Sequence, residues 1–247
     1  MNYYQIDLPI SKKKIYVRDW NVREDNELAK ELQSIDRSAK DCVIQENKVI
    51  MNFVKNHLKS PEIFDELNIL DFRYIQIALH NGSKGNIKEI RFQCLNDNVD
   101  GKKCSAYEQT QENKLDIVND IKFPSISKKE QIDISDKLII TIKNLPLVKQ
   151  IEFIEKIFND DKYKISDFKF DCIIASIDGI IESGQIKEMT FEEKKKYIGE
   201  ELKPKEMKLI VSAYNKINDD LEITKKNKCI KCGNETNISI GGFSFFI

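Results

Sequence analysis

Two cysteines separated by two residues and followed by glycine, Cys229-Ile230-Lys231-Cys232-Gly233, are the residues of this chain best placed to do chemistry. That spacing lets two thiolates converge on one metal ion while the backbone turns tightly, as in a zinc knuckle. One such pair supplies only half of a tetrahedral site. Cys94 and Cys104 are the candidates for the other half, because each pair lies at the end of, or just before, an expected strand, across a polar glycine-bearing turn. Two such turns facing each other make a zinc ribbon. Cys94, Cys104, Cys229 and Cys232 together form a candidate structural zinc site. The nine-residue gap between Cys94 and Cys104 is longer than a standard knuckle. A blander reading, with Cys94 and Cys104 as half-buried thiols and Cys229-Cys232 binding nothing, stays open.

The remaining reactive residue types form no such constellation. Cys42 and Cys172 lie in helical patterns beside apolar residues, where core packing is expected. His57 and His80 are the only histidines, and His80, near an expected helix end, suits a cap or an exposed position. There is no GxxxxGK[ST] phosphate loop, no GxSxG elbow and no HExxH pair. Gly82-Ser83-Lys84-Gly85 reads as a plain loop, and Asp71, Asp97 and Asp100 as ordinary acidic residues. The pattern therefore predicts no catalytic site. The last five residues carry Phe243, Phe245 and Phe246 after two glycines. Burying each phenyl ring is worth roughly 1.5–3 kcal/mol. They either fold back onto this protein's own core or anchor it to a partner; as termini are seldom recruited to a core, they are the expected partner-binding residues.

Composition narrows the classes further. Forty basic residues against forty-one acidic ones leave a net charge of -1 in 247 residues, so no global cation field points to nucleic acid or anionic lipid. No apolar run approaches the roughly 18–20 residues that cross a bilayer. The opening Met1-Asn2-Tyr3-Tyr4-Gln5 lacks the layout of a signal peptide, so the six cysteines are expected as thiols or ligands in a cytoplasm.

The elements that must position these residues fall into an α, β, α order. Gln5–Pro9 and Lys14–Arg18 read as short extended pieces. Asn21 with Glu24 has capping-box spacing, opening a helix through Leu28, Leu32 and Ile35. Further helices are expected from about Ala39 to Leu58, with Val43, Ile50, Phe53 and Val54 on one face, and from Ser60-Pro61 to a stop at Asn81-Gly82. Ile87–Cys94, Leu115–Ile117 and Gln131–Ile134 alternate as strands, and Leu138–Ile142 is the most convincing strand of all. Helical periodicity returns from Leu145-Pro146, continues from Ser166 through Ile181 to Gly184, reopens at the Thr190–Glu193 capping box, and recurs over Lys205–Asn218. The expected fold is α+β, with four regions. Residues 1–85 are mainly helical and 86–143 β-rich; 144–222 form a C-terminal helical bundle. Residues 223–247 hold the knuckle, a strand and the aromatic tail, completing a zinc-ribbon-like element on the middle sheet.

Taken end to end, this layout resembles the baseplate hub and hub-assembly proteins of T4-like contractile-tailed bacteriophages. The resemblance rests on Leu8-Pro9-Ile10 and Ile15-Tyr16-Val17-Arg18 before the first capped helix, the strand into Cys94, Cys104, and the Leu145-Pro146 helix. Its specific part is Cys229-x-x-Cys232-Gly233 running to Phe245-Phe246. The resemblance implies a non-enzymatic viral protein that acts in assembly or structure of the central hub of the tail baseplate. Its partners would be other tail hub proteins. It would reside in the host cytoplasm during assembly, with the virion baseplate as a further location. By position, Cys229 and Cys232 match the family's terminal cysteine pair, Cys94 and Cys104 its earlier ones, and Phe245-Phe246 its aromatic end. Lys225, Lys226, Lys228 and Lys231 around the knuckle motivate the alternative, a nucleic-acid-binding zinc ribbon.

Overall fold

The computed structural model describes residues 2–124, 129–218 and 221–238. Strands β1 (Tyr4–Asp7) and β2 (Lys14–Val17) form an antiparallel hairpin, followed by helices α1 (Val22–Ser34) and α2 (Cys42–Asn56). Asn21 and Glu24 close the expected capping box on α1, the Asn21 side chain accepting from the Arg23 and Glu24 backbone N–H groups. A 3-10 turn (Pro61–Glu66) leads into α3 (Ile69–Lys84). These elements enclose one core in which Val17, Trp20, Ile50, Val54, Phe72 and Ile75 are buried. On α2 the buried stripe is Ile44, Asn47, Ile50 and Val54, whereas Val43 faces solvent. The expected face is therefore rotated by one residue at its start.

Asp71 fastens the hairpin to α3. Its carboxylate, fully buried, accepts from the backbone N–H groups of Ile10 (2.9 Å) and Ser11 (3.0 Å) and from the Asn68 amide (2.9 Å). The expected stop at Asn81-Gly82 is not where α3 ends. The helix continues to Lys84 and is capped by Gly85 at φ 86°, the left-handed conformation that favours glycine. Gly82 serves a different need: a Cβ there would lie 1.8 Å from Asp19 Oδ1, the atom that receives the Tyr4 hydroxyl.

The middle of the chain is a ribbon. Strands β3 (Ile87–Gln93) and β4 (Thr110–Asp116) pair antiparallel from Ile87↔Asp116 to Gln93↔Thr110, and β5 (Ile121–Lys122) follows. Strands β6 (Lys129–Ser135) and β7 (Leu138–Lys143) then begin a second sheet. Helices α4 (Leu147–Asn159) and α5 (Ile165–Ser176) intervene before β8 (Ile177–Glu182) and β9 (Gln185–Lys187) complete it in the order β6-β7-β8-β9. Helices α6 (Phe191–Glu201) and α7 (Pro204–Ile217) pack with α5 on one face. Ile140, Ile142, Ile174, Ile180 and Ile210 are fully shielded between these layers. Residues 144–222 are therefore not helical throughout. The helix expected to reach Gly184 stops at Ser176, because Ile177 and Ile180 pair with Ile142 and Ile140 of β7. Ser183-Gly184, both at positive φ, form the hairpin turn to β9.

The chain then returns to the middle ribbon. Strand β10 (Glu222–Ile223) pairs with β5, and β11 (Lys226–Lys228) with β12 (Glu235–Asn237). The last strand was expected to join the middle sheet. It instead forms a hairpin of its own with β11. A third apolar cluster seals the junction, with Ile10 from the β1–β2 turn and Leu70 and Ile77 from α3 meeting Leu115, Ile117 and Ile121 from the ribbon and Leu221 and Ile238 from the end of the chain. No helix among the described residues is long and apolar enough to cross a membrane.

Candidate metal centre

The loop between β3 and β4 carries two of the four cysteines. Cys94 follows the last residue of β3, and the chain then turns at Asp100-Gly101, whose φ values of 52° and 75° close a tight hairpin between Val99 and Lys102. The Cys104 backbone N–H donates to Asn96 O (3.0 Å), and the Glu108 N–H to Cys94 O (2.9 Å), so the excursion folds back on its own start. The nine-residue gap is thus taken up by an ordered hairpin, and both sulfurs emerge on one side. The other two cysteines sit in the β11–β12 turn. There the Cys229 N–H donates to Asn234 O and the Gly233 N–H to Cys229 O, both at 2.9 Å, with Gly233 at φ 70°.

The two turns face each other. Cys94 Sγ lies 3.7 Å from Cys232 Sγ, Cys104 Sγ lies 3.8 Å from Cys229 Sγ, and all four sulfurs lie within 4.8 Å of one another. Tetrahedral coordination with metal–sulfur bonds of about 2.3 Å sets sulfur–sulfur edges of about 3.8 Å. A disulfide needs about 2.05 Å. The separations match the first, and all six cysteines are free thiols. Four close cysteines of this geometry can bind a metal ion.

The surroundings suit four anionic sulfurs. Backbone N–H groups of Ala106 and Lys231 approach Cys104 Sγ and Cys229 Sγ at 3.4 Å. The Gln111 amide donates to Cys229 Sγ (3.5 Å), and the Asn96 amide to Cys232 Sγ (3.7 Å). Such donors offset thiolate charge and fix the ligand orientation. The backbone N–H of Cys232, with those of Lys231 and the Gln111 amide, draws the Cys229 thiol down to about 6 despite burial. At Cys94 the Asn96 N–H acts in the same sense, but burial and the neighbouring sulfurs outweigh it and push that thiol up to about 12.

Three amide side chains that sequence reasoning missed join the two halves. Gln111, buried on β4, accepts the Ile230 N–H through Oε1 (3.0 Å) while its Nε2 reaches Cys229. Asn113, two residues on and on the same face, donates to Lys226 O (3.2 Å) and Asn227 Oδ1 (3.1 Å). Asn96 completes the set. The alternation of Gln111 and Asn113 along one strand face was the available signal.

The other expectations resolve as follows. Cys172 is buried with Leu145 and Phe153, and burial pushes its thiol up to about 12, as a packing role requires. Cys42 is half-buried at the start of α2, away from the cluster. His80 is not exposed: it is buried beside Trp20, with Nδ1 3.0 Å from Gly85 O. His57 is also buried edge-on to the same indole ring. Neither histidine is among the residues that approach the sulfurs. Phe243, Phe245 and Phe246 lie outside the described residues.

A family model described as T4 bacteriophage base plate protein matches residues 1–247. No curated protein and no solved structure matches the chain. The match spans the helical opening, the cysteine-bearing ribbon and the terminal knuckle alike, and so places the whole chain in one class: it belongs to the T4 bacteriophage base plate protein family.

Proposed function

We propose that this chain acts without catalysis, as a component or assembly factor of the central hub of the phage tail baseplate, through contacts with other hub proteins. The observation that carries the reading is the family match along the full chain. Assembly would take place in the host cytoplasm, and the finished tail is where a retained copy would reside. Phe243, Phe245 and Phe246 supply the partner-binding end. Truncation before Phe243 tests this: loss of co-purification with hub proteins is expected, and unchanged co-purification with all of them overturns the docking role.

Cys94, Cys104, Cys229 and Cys232 serve in this reading as ligands of one structural zinc ion. The sulfur spacing and the surrounding N–H donors support that assignment. The bound ion would supply no reaction; it would fasten the terminal hairpin to the β3–β4 loop, so that binding energy becomes folding energy. Metal analysis should find one zinc per chain, lost equally from Cys94→Ser and Cys229→Ser. Zinc retained in Cys94→Ser would exclude a shared site. A nucleic-acid-binding ribbon is less well supported, because Lys225 and Lys226 face Asp120 and Glu235 at 3.7 and 3.8 Å. Steeply salt-dependent DNA or RNA affinity would favour it.

A further inference from the structure

The two sulfur–sulfur contacts of hydrogen-bonding length both run across the site. They join Cys94 to Cys232, 138 positions apart in the chain, and Cys104 to Cys229, 125 apart. The turn that carries Cys229 and Cys232 is held in its own shape by the Asn234 and Gly233 backbone contacts, and the Cys229 sulfur is held from outside by Gln111. The sulfurs are therefore arranged to pair between segments, and the usual pairing within a two-residue knuckle would have to distort a fixed turn. Cys232 is half-buried, whereas the other three are buried, so a small oxidant meets Cys232 first.

We propose that these cysteines form an oxidation site as well as a metal site, in which metal loss followed by peroxide produces two disulfides, Cys94–Cys232 and Cys104–Cys229. The proposal rests on the four-thiolate reading of the same cluster. The Cys232 thiolate attacks one oxygen of hydrogen peroxide; the O–O bond breaks, hydroxide leaves, and a sulfenic acid remains. Cys94 sulfur then attacks the sulfenic sulfur, forming the S–S bond and expelling hydroxide, which takes the Cys94 proton as water. Two electrons pass from the sulfur pair to the peroxide oxygens. A second peroxide does the same for Cys104 and Cys229. Each new bond closes a long loop, the kind of crosslink that most restricts the unfolded chain. The hairpin that the ion holds in a reducing cytoplasm would thus stay attached in an oxidising medium.

The test uses the full-length protein in three states: zinc-loaded, chelator-stripped, and stripped then treated with hydrogen peroxide. Thiols are counted after denaturation, and crosslinked peptides are mapped by mass spectrometry without reduction. The stripped, oxidised protein should keep only the Cys42 and Cys172 thiols and should yield the 94–232 and 104–229 peptide pairs. Zinc-loaded protein should keep all six thiols under the same exposure. Cys229→Ser should retain the 94–232 link and lose the other; should that variant misfold, the wild-type map decides alone. Links within the segments, 229–232 and 94–104, or sulfinic acids without links, overturn the proposal. Cross-segment links in a protein that binds no zinc would leave the oxidation site standing and remove the metal reading; bound zinc with within-segment links would do the reverse.

Discussion

Truncating Gln111 to alanine would leave the Ile230 N–H without its acceptor in a half-buried contact and Cys229 without its amide donor in a buried one. Outer partners of metal ligands typically contribute 10–100-fold to affinity. Gln111→Ala should therefore weaken zinc binding by about that factor, read by competition with a chromophoric chelator, with all four cysteines intact. Wild-type affinity in this variant would mean that the amide merely fills space. His80 offers a second residue-scale prediction. Burial above all, then the charge of Lys88, holds its pKa down from 6.5 to about 4, although Gly85 O accepts from Nδ1. A base depressed in the fold takes up its proton more readily when unfolded, so its contribution is complete above pH 6.5 and is lost as pH falls through about 4. The loss is on the order of 3 kcal/mol. Urea unfolding across this window should show that slope in the wild type and a shallower one in His80→Asn. An unchanged slope would assign the acid sensitivity to other groups.

Strand β7 is where single elements decide most of the second core. Ile140 points between β7 and the α5–α7 layer and is fully shielded, whereas Ile139 projects to the opposite, half-exposed face. Ile140→Ala should cost about 3–5 kcal/mol, and Ile139→Ala about 1 kcal/mol or less, by denaturant unfolding. Equal costs would mean that something covers the outer face. This strand was legible in the sequence because Leu138-Ile139-Ile140-Thr141-Ile142 is a short apolar run composed almost wholly of β-branched residues, and α1 was legible from its capping box. The end of α5 was not. Ile173, Ile174, Ile177 and Ile181 fit a helical stripe as well as a strand, and only the pairing of β8 with β7 selects between them. Gly82 misled for a related reason: its lack of a side chain answers to Asp19, a residue far away in the chain, and not to the helix end. That the four cysteines would meet was readable because a four-thiolate site restricts residue type and count. The amides beside it were not, since Asn and Gln are common and their partners lie on other segments.

At the scale of the whole molecule, the proposed zinc site sets metal against packing in holding the end of the chain. Residues 226–238 touch the rest of the fold through the sulfurs, the amides and Ile238, which enters the cluster of Leu115, Ile117 and Ile121. Burying Ile238 is worth roughly 2 kcal/mol, whereas zinc binding to a structural four-ligand site is worth on the order of 10 kcal/mol. With zinc bound the metal term dominates, so after chelation this hairpin and the Cys94–Cys104 loop should open more often than any other part, while Ile238 and the Gln111 and Asn113 amides still return the sulfurs to their cross-segment positions. The first and second cores contain none of the four ligands and keep their own buried residues. Hydrogen exchange after chelation should therefore show protection lowered at residues 94–109 and 226–238 and kept in β7 and β8. Calorimetry of the stripped protein should show a new low-temperature transition ahead of a main one close to that of the zinc-loaded form, and Cys94→Ser should reproduce it without chelator. A single transition shifted as a whole would mean that the third cluster, where Ile10, Leu70 and Ile77 meet the ribbon, couples all parts of the chain into one cooperative unit.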